Sequence, residues 1–154
     1  MKTFLSVAFL FFLMPALVSG QGTGQGYVFA APGGGWGGTS LHFGGGGEAD
    51  LFKGLGFGVE IGLIGSTGNF GGAGVVFSPN GRFAFRSSED HKLVPYVTGG
   101  YSLFYGGTAY NFGGGFDYWF EKKYGLKFEF RNHIMPNCTH DCNLYQIRLG
   151  LSMR

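Results

Sequence analysis

The sequence predicts an all-β chain: an eight-stranded antiparallel up-and-down barrel that spans a membrane. Three observations carry this. Apolar residues alternate with polar or small ones along most of the chain, and a period of two belongs to strands with two unlike faces. The alternating segments number eight, an even count that returns both ends of the wall to one side. One face of the segments is loaded with Phe and Tyr, while the other offers Gly and a few charges. Composition agrees. Charged residues make up only 13% of the 154, and Gly contributes 32. A soluble domain carries about 25% charge, so this chain would keep a water-facing surface soluble with difficulty. An aromatic content of 18% excludes disorder. Five Pro exclude a collagen repeat.

The first residues have the layout of a secretory leader. Lys2 supplies a positive start, Phe4 to Leu13 an apolar run, and Pro15 a break. Val18-Ser19-Gly20 places small residues before a cut at Gln21. Residues 1–20 are therefore expected to be a cleaved signal peptide and residues 21–154 a single barrel domain. The run is too short for a membrane-spanning helix, and no later run approaches the needed length. No Cys follows Gly20, so lipid attachment there is not suggested. The formal charge is only +2, and the longest basic run is Lys122-Lys123. That excludes nucleic acid, which needs a concentrated basic face.

The segments follow in order. Residues 26–32 are short: Tyr27, Phe29 and Ala31 alternate with Val28, Ala30 and Pro32. Residues 39–51 set Leu41, Phe43, Ala49 and Leu51 against His42, Glu48 and Asp50, with four Gly between. Residues 55–64 are the clearest: Leu55, Phe57, Val59, Ile61 and Leu63 oppose Gly56, Gly58, Glu60, Gly62 and Ile64. In 73–85, Ala73, Val75, Phe77, Phe83 and Phe85 oppose Gly74, Ser78, Asn80, Arg82 and Ala84, with Val76 as an exception. Pro79 and Gly81 fall on the apolar side and predict a bend or bulge.

The second half continues the pattern. Residues 93–105 set Leu93, Val97, Tyr101, Leu103 and Tyr105 against Thr98, Gly100 and Ser102. Residues 110–120 set Tyr110, Phe112, Phe116, Tyr118 and Phe120 against Asn111, Gly113, Gly115, Asp117 and Trp119. Residues 126–134 set Leu126, Phe128 and Phe130 against Lys127, Glu129, Arg131 and His133. Residues 143–153 set Tyr145, Ile147, Leu149, Leu151 and Met153 against Gln146, Arg148, Gly150 and Ser152. Most of these segments match the 9–11 residues of a tilted membrane strand. The connections at 52–54, 86–92 and 121–125 share one end and hold most of the loop charge. Those at 33–38, 65–72, 106–109 and 135–142 share the other.

Volume decides which face turns inward. Eight strands enclose a space just wide enough for side chains to fill. The rings of Phe57, Phe77, Phe116, Tyr118, Phe128 and Tyr145 would overfill it. Gly interspersed with Glu48, Glu60, Asp117, Lys127, Glu129, Arg131 and Arg148 would fit. The aromatic face is therefore expected to meet lipid, where closure of the sheet satisfies every backbone polar group. Tyr105 and Tyr110 at one rim, and Tyr118, Phe120 and Phe85 at the other, are placed as interfacial girdles.

The leader, the eight segments and the final strand from Tyr145 to Arg154 resemble small outer-membrane β-barrels of the OmpA/OmpX type. Leu93 to Tyr101 and Asn111 to Trp119 look like the fifth and sixth strands of that family. The resemblance covers the chain after the leader. It implies an outer-membrane location, contact with outer-membrane lipid, passage through the barrel-insertion machinery, and a monomer. One feature departs from the family. Such barrels usually end in an aromatic residue, and this chain ends Met153-Arg154. No segment resembles the peptidoglycan-binding domain of the OmpA kind.

Candidate chemistry starts with the inward charges. Glu48, Asp50, Glu60, Asp117 and Glu129 face Arg82, Lys127, Arg131 and Arg148 as a plug of paired ions, because eight strands leave no open channel. The competing reading is a narrow, porin-like pore of low conductance. Cys138 and Cys142 are expected to pair as a disulfide in an exported chain. The alternative is a metal site using Cys138, His140, Cys142 and His133.

Some eight-stranded outer-membrane barrels modify lipid A with a His, a Ser and an acid. Here His133 and Glu129 lie near each other, but no Ser is close along that strand. His42 and Ser40 are two residues apart on one inward face. A triad needs three groups in mutual reach, so no catalytic residue is assigned and the chain is not expected to be an enzyme. The Gly runs 33–38 and 44–47 are not phosphate loops, since no Gly-Lys-Ser/Thr follows. No cofactor or resident metal is expected. The expected role is structural or interactional, because all four outer loops are short.

Overall fold

The computed structural model describes residues 24–35, 38–66, 69–85, 92–104, 106–136 and 143–154. The leader region, Tyr105 and both cysteines lie outside the described residues. Eight strands are present: β1 Gly24–Gly35, β2 Gly38–Phe52, β3 Leu55–Ser66, β4 Asn69–Ala84, β5 Leu93–Phe104, β6 Gly107–Trp119, β7 Tyr124–Ile134 and β8 Asn143–Met153. Each pairs antiparallel with the next, and β8 pairs back to β1, so the sheet has no free edge.

One circuit of paired residues gives the stagger. It runs from Gln25 to Glu48, Gly58, Asn80, Gly100, Asn111, His133 and Leu144, and returns to β1 at Gly35. The return point lies ten residues along β1 from the start, so the shear is ten. Eight strands with that stagger tilt by roughly 35–45° and leave an interior that side chains can fill.

The strands run further than the alternation alone indicates. β1 includes Gly33–Gly35, β4 begins at Asn69, and β6 begins at Gly107. Glycine shows no period because it has no side chain, yet its N–H and C=O still join the ladder. The short turn Lys53-Gly54 joins β2 to β3, with φ of 43° and 87°. Left-handed geometry at both positions matches the twist of a two-residue hairpin. At Gly54 a Cβ would stand 2.3 Å from the carbonyl oxygen of Ala84.

The bulge expected at Pro79 and Gly81 is not there. Pro79 stays paired with Val59 and Gly81 with Phe57. The β4–β5 pairs Phe77 with Leu103 and Asn80 with Gly100 keep one register across the proline. Proline withholds one ladder donor without adding a residue, so pairing lapses locally and the register survives. The register shifts instead between Asp50 and Phe52 and between Ile64 and Ser66, next to the ends of β2 and β3.

The outer face is apolar around the whole wall. Val28, Phe43, Phe57, Leu63, Phe83, Val97, Phe112, Leu126, Ile147 and Leu151 are exposed there. No Asp, Glu, Lys or Arg stands on the outer face of any strand among the described residues. Stacked rings tighten this face: Phe116 on Phe128 at 5.3 Å and Phe130 on Tyr145 at 6.2 Å. Near the rims, Tyr101 meets Tyr110 edge to face, as Phe83 meets Phe85. A surface of this extent without charge cannot face water stably, and its strand lengths suit a hydrocarbon layer. The fold is a membrane-type barrel, turned as the volume argument requires.

Candidate functional site

Among the described residues, buried charge concentrates in the interior. Glu48, Glu60, Asp117, Lys127, Glu129, Arg131 and Arg148 each expose 8% or less. The circuit of strands brings them together although they are spread from β2 to β8 in the sequence. β4 adds Arg82, also buried.

Two layers result. In the layer nearer the described chain end at Arg154, Lys127 Nζ donates to both oxygens of Glu48 at 3.0 and 3.2 Å. It also lies 3.6 Å from Asp117. Arg82 bridges Asp117 and Glu48, the latter at 3.3 Å, and reaches Asp50 at 4.0 Å. Gln25 Nε2 donates to Glu48 at 2.8 Å and to Asp117 at 3.1 Å. In the second layer Glu60 receives Arg148 at 2.8 Å and Arg131 at 3.2 Å. Glu129 pairs with Arg131 and lies 3.6 Å from Arg148.

Four rings stand inside among these charges. Tyr27 donates its hydroxyl to Glu60 at 3.0 Å and Tyr96 donates to Glu129 at 2.9 Å. The Arg82 and Lys127 heads each lie 4.3 Å from the centre of the Tyr96 ring. Arg148 lies 4.3 Å from that of Phe29. Trp119 is also buried. Sequence alternation places Trp119 inward, but β1 has apolar residues on both faces and leaves the direction of Tyr27 and Phe29 open. The signal that could have found them is on β2. Phe29 pairs with Gly44 and Tyr27 with Gly46. A Cβ on Gly44 would meet the Phe29 ring at 2.7 Å, and one on Gly46 the Tyr27 hydroxyl at 2.8 Å. The glycine run is the space these rings occupy, a pairing known to support glycine in sheets.

A third, uncharged group lies toward the other end. Ser78 and Ser102 share a hydrogen bond at 2.8 Å, and Ser102 Oγ lies 3.1 Å from His133 Nδ1. Asn111 Nδ2 donates to Ser102 at 2.9 Å. His133 thus has a serine partner from β5, itself bonded to Ser78 of β4, that its own strand does not supply. His133 Nε2 has no hydrogen-bond partner among the described residues, and Ser102 and His133 are fully buried. A triad needs an orienting acid and an open face for substrate. His42 bonds to Gln146 at 3.3 Å and packs edge-on to Phe29. Ser40, on the same inner face, lies closer to the rim.

Buried apolar clusters lie toward both ends. Ala84, Val94, Tyr96 and Trp119 cluster at the end of the charged layers. The Arg154 guanidinium lies 3.9 Å over the Trp119 ring of that cluster. Ile64, Val76 and Leu144, with Phe104, cluster toward the other. Between them, the gap bounded by Tyr27, Phe29, Lys127, Glu129, Arg148 and Gly150 is too small to admit a water molecule. The disulfide assigned to Cys138 and Cys142, and the alternative site with His140, lie outside the described residues. Among the described residues no group of three His, Cys, Asp or Glu is placed to hold a metal.

No protein-family model matches the chain, and no curated protein matches it in sequence. Solved structures do match in shape. The N-terminal β-barrel domain of OprF from Pseudomonas aeruginosa superposes with a TM-score of 0.65 at 16% identity, over 86% of this chain and 98% of that one. Neisserial surface protein A gives 0.64 at 13%, over 84% and 94%. A de novo designed transmembrane β-barrel gives 0.62 at 16%, over 84% and 93%. At such identities the likeness is one of fold, and it reaches a designed chain as well as natural ones.

Proposed function

We propose that this protein is a sealed outer-membrane barrel with a structural or interaction role, inserted as a monomer by the barrel-insertion machinery after its leader is removed. One observation carries the reading: among the described residues the ion-paired interior lies between two buried apolar clusters, and the gap beside Lys127, Glu129 and Arg148 is too small for water. An ion would have to break buried pairs and cross two dry constrictions. Breaking one such pair costs about 3–5 kcal/mol. The outer-membrane location is supported by the uncharged outer face and by the neighbours of like fold.

The test is electrical. Purified protein in planar bilayers is expected to show no resolvable conductance, while migrating differently on detergent gels before and after boiling. Steady nanosiemens steps from material with that heat-modifiable band would overturn the sealed reading and favour a pore. The protein is further expected to leave lipid A unaltered by mass spectrometry. Its Ser102–His133 pair lies inside the wall, and the acyl chains lie outside.

A further inference from the structure

A hollow interrupts the outer face where β7, β8, β1 and β2 run side by side. It measures about 400 Å³ and its lining is almost wholly apolar. Gly26, Gly45 and Gly46 form its floor, and Val28, Leu151, Met153, Tyr124 and Phe120 its walls. The glycine floor arises because the Gly44–Gly47 run that makes room for Tyr27 and Phe29 inside also leaves the outside bare. Phe120 and Tyr124 flank a short turn, which Glu121 closes by donating its N–H to the Tyr124 carbonyl at 3.2 Å. That turn carries Lys122 and Lys123, both exposed. Among the described residues the charges exposed at this rim are mostly basic. Lys53, Lys92, Lys122, Lys123 and Arg154 are exposed there, against Glu121 alone among the described residues.

We infer that this hollow is a binding site for one anionic glycerophospholipid. An acyl chain lies on the glycine floor, and the phosphate lies against Lys122 and Lys123. Two features select that occupant together. The hollow lies on the lipid-facing wall, and two of its lining residues, Phe120 and Tyr124, flank the turn that carries the two lysines. A zwitterionic lipid would fill the same hollow but gain less from the lysines. Each basic side chain near an anionic lipid surface contributes roughly a fivefold preference. The inference concerns the outer wall and does not depend on whether the lumen conducts.

Native mass spectrometry of the full barrel can count retained lipid, using micelles doped with equal phosphatidylglycerol and phosphatidylcholine. One phosphatidylglycerol per barrel is expected to be retained preferentially. Lys122→Gln with Lys123→Gln should lower that preference about 25-fold, while Lys92→Gln at the same rim should leave it unchanged. Gly45→Phe should abolish retention with both lysines intact. Should Gly45→Phe fail to give the heat-modifiable band, the lysine variants decide alone. Equal loss in Lys92→Gln, or equal retention of both lipids by the unaltered protein, would overturn the site. So would retention of lipopolysaccharide in place of phosphatidylglycerol when both are offered.

Discussion

Glu60 shows what a single residue contributes. It accepts from Arg131, Arg148 and the Tyr27 hydroxyl, with 1% of its surface exposed. Charge-assisted bonds of this kind are about twice as strong as neutral ones, and their loss strands the partners. Glu60→Ala would leave two guanidinium groups in the lumen with fewer countercharges. The expected cost is about 3–5 kcal/mol, read as a lowered urea midpoint in lipid vesicles. Glu60→Gln should cost less, because it still accepts from Tyr27. Much of this was legible beforehand: the volume of the Phe and Tyr faces forces the charges inward. Which acid meets which base was not legible, since Glu60 and Arg148 lie on strands that meet only across the closed lumen. The serines beside His133 were hidden for the same reason.

At the scale of the element, each strand must satisfy lipid on one side and a crowded lumen on the other. β8 does this from Leu144 to Met153, with only Gly150 half-buried: Gln146, Arg148 and Ser152 are buried, while Tyr145, Ile147, Leu149 and Leu151 are exposed. Leu149 lies near the middle of the strand, paired with Phe128 and Ala30, and exposes 60% of its surface. Leu149→Arg should destabilise the barrel by about 2–4 kcal/mol, the penalty for a base at the bilayer midplane. The same change at Met153, close to the rim, should cost about 0–1 kcal/mol. Equal effects at the two positions, measured by urea titration in vesicles, would contradict the proposed membrane setting. β1 was the hardest element to read. Its two faces are both apolar, and only the glycines of β2 decide which one turns inward.

For the whole molecule, the proposed seal has three zones in series, two apolar ends and a charged middle. Cutting the middle alone should not open a path. A Glu60→Ala, Arg148→Ala protein is expected to remain silent in planar bilayers. Adding Trp119→Gly and Leu144→Gly, which removes a large side chain from each end, is expected to produce a measurable current. A current from the first variant alone would show that the ends do not seal. The comparison with a designed barrel belongs at this scale too. Chains sharing 16% of their residues reach the same wall because alternation, strand length and closure are physical requirements of hydrocarbon.

The chain by itself determined its class, its strand number and the direction in which most strands face, because those depend on period and side-chain volume. Both are local quantities that can be counted along a segment. Only the tertiary structure decided the stagger of the wall, the partners of each lumen charge, the rings seated on Gly44 and Gly46, and the caps at the two ends. These depend on which residues meet after a circuit of eight strands. A shear of ten carries every contact far from its neighbours in sequence.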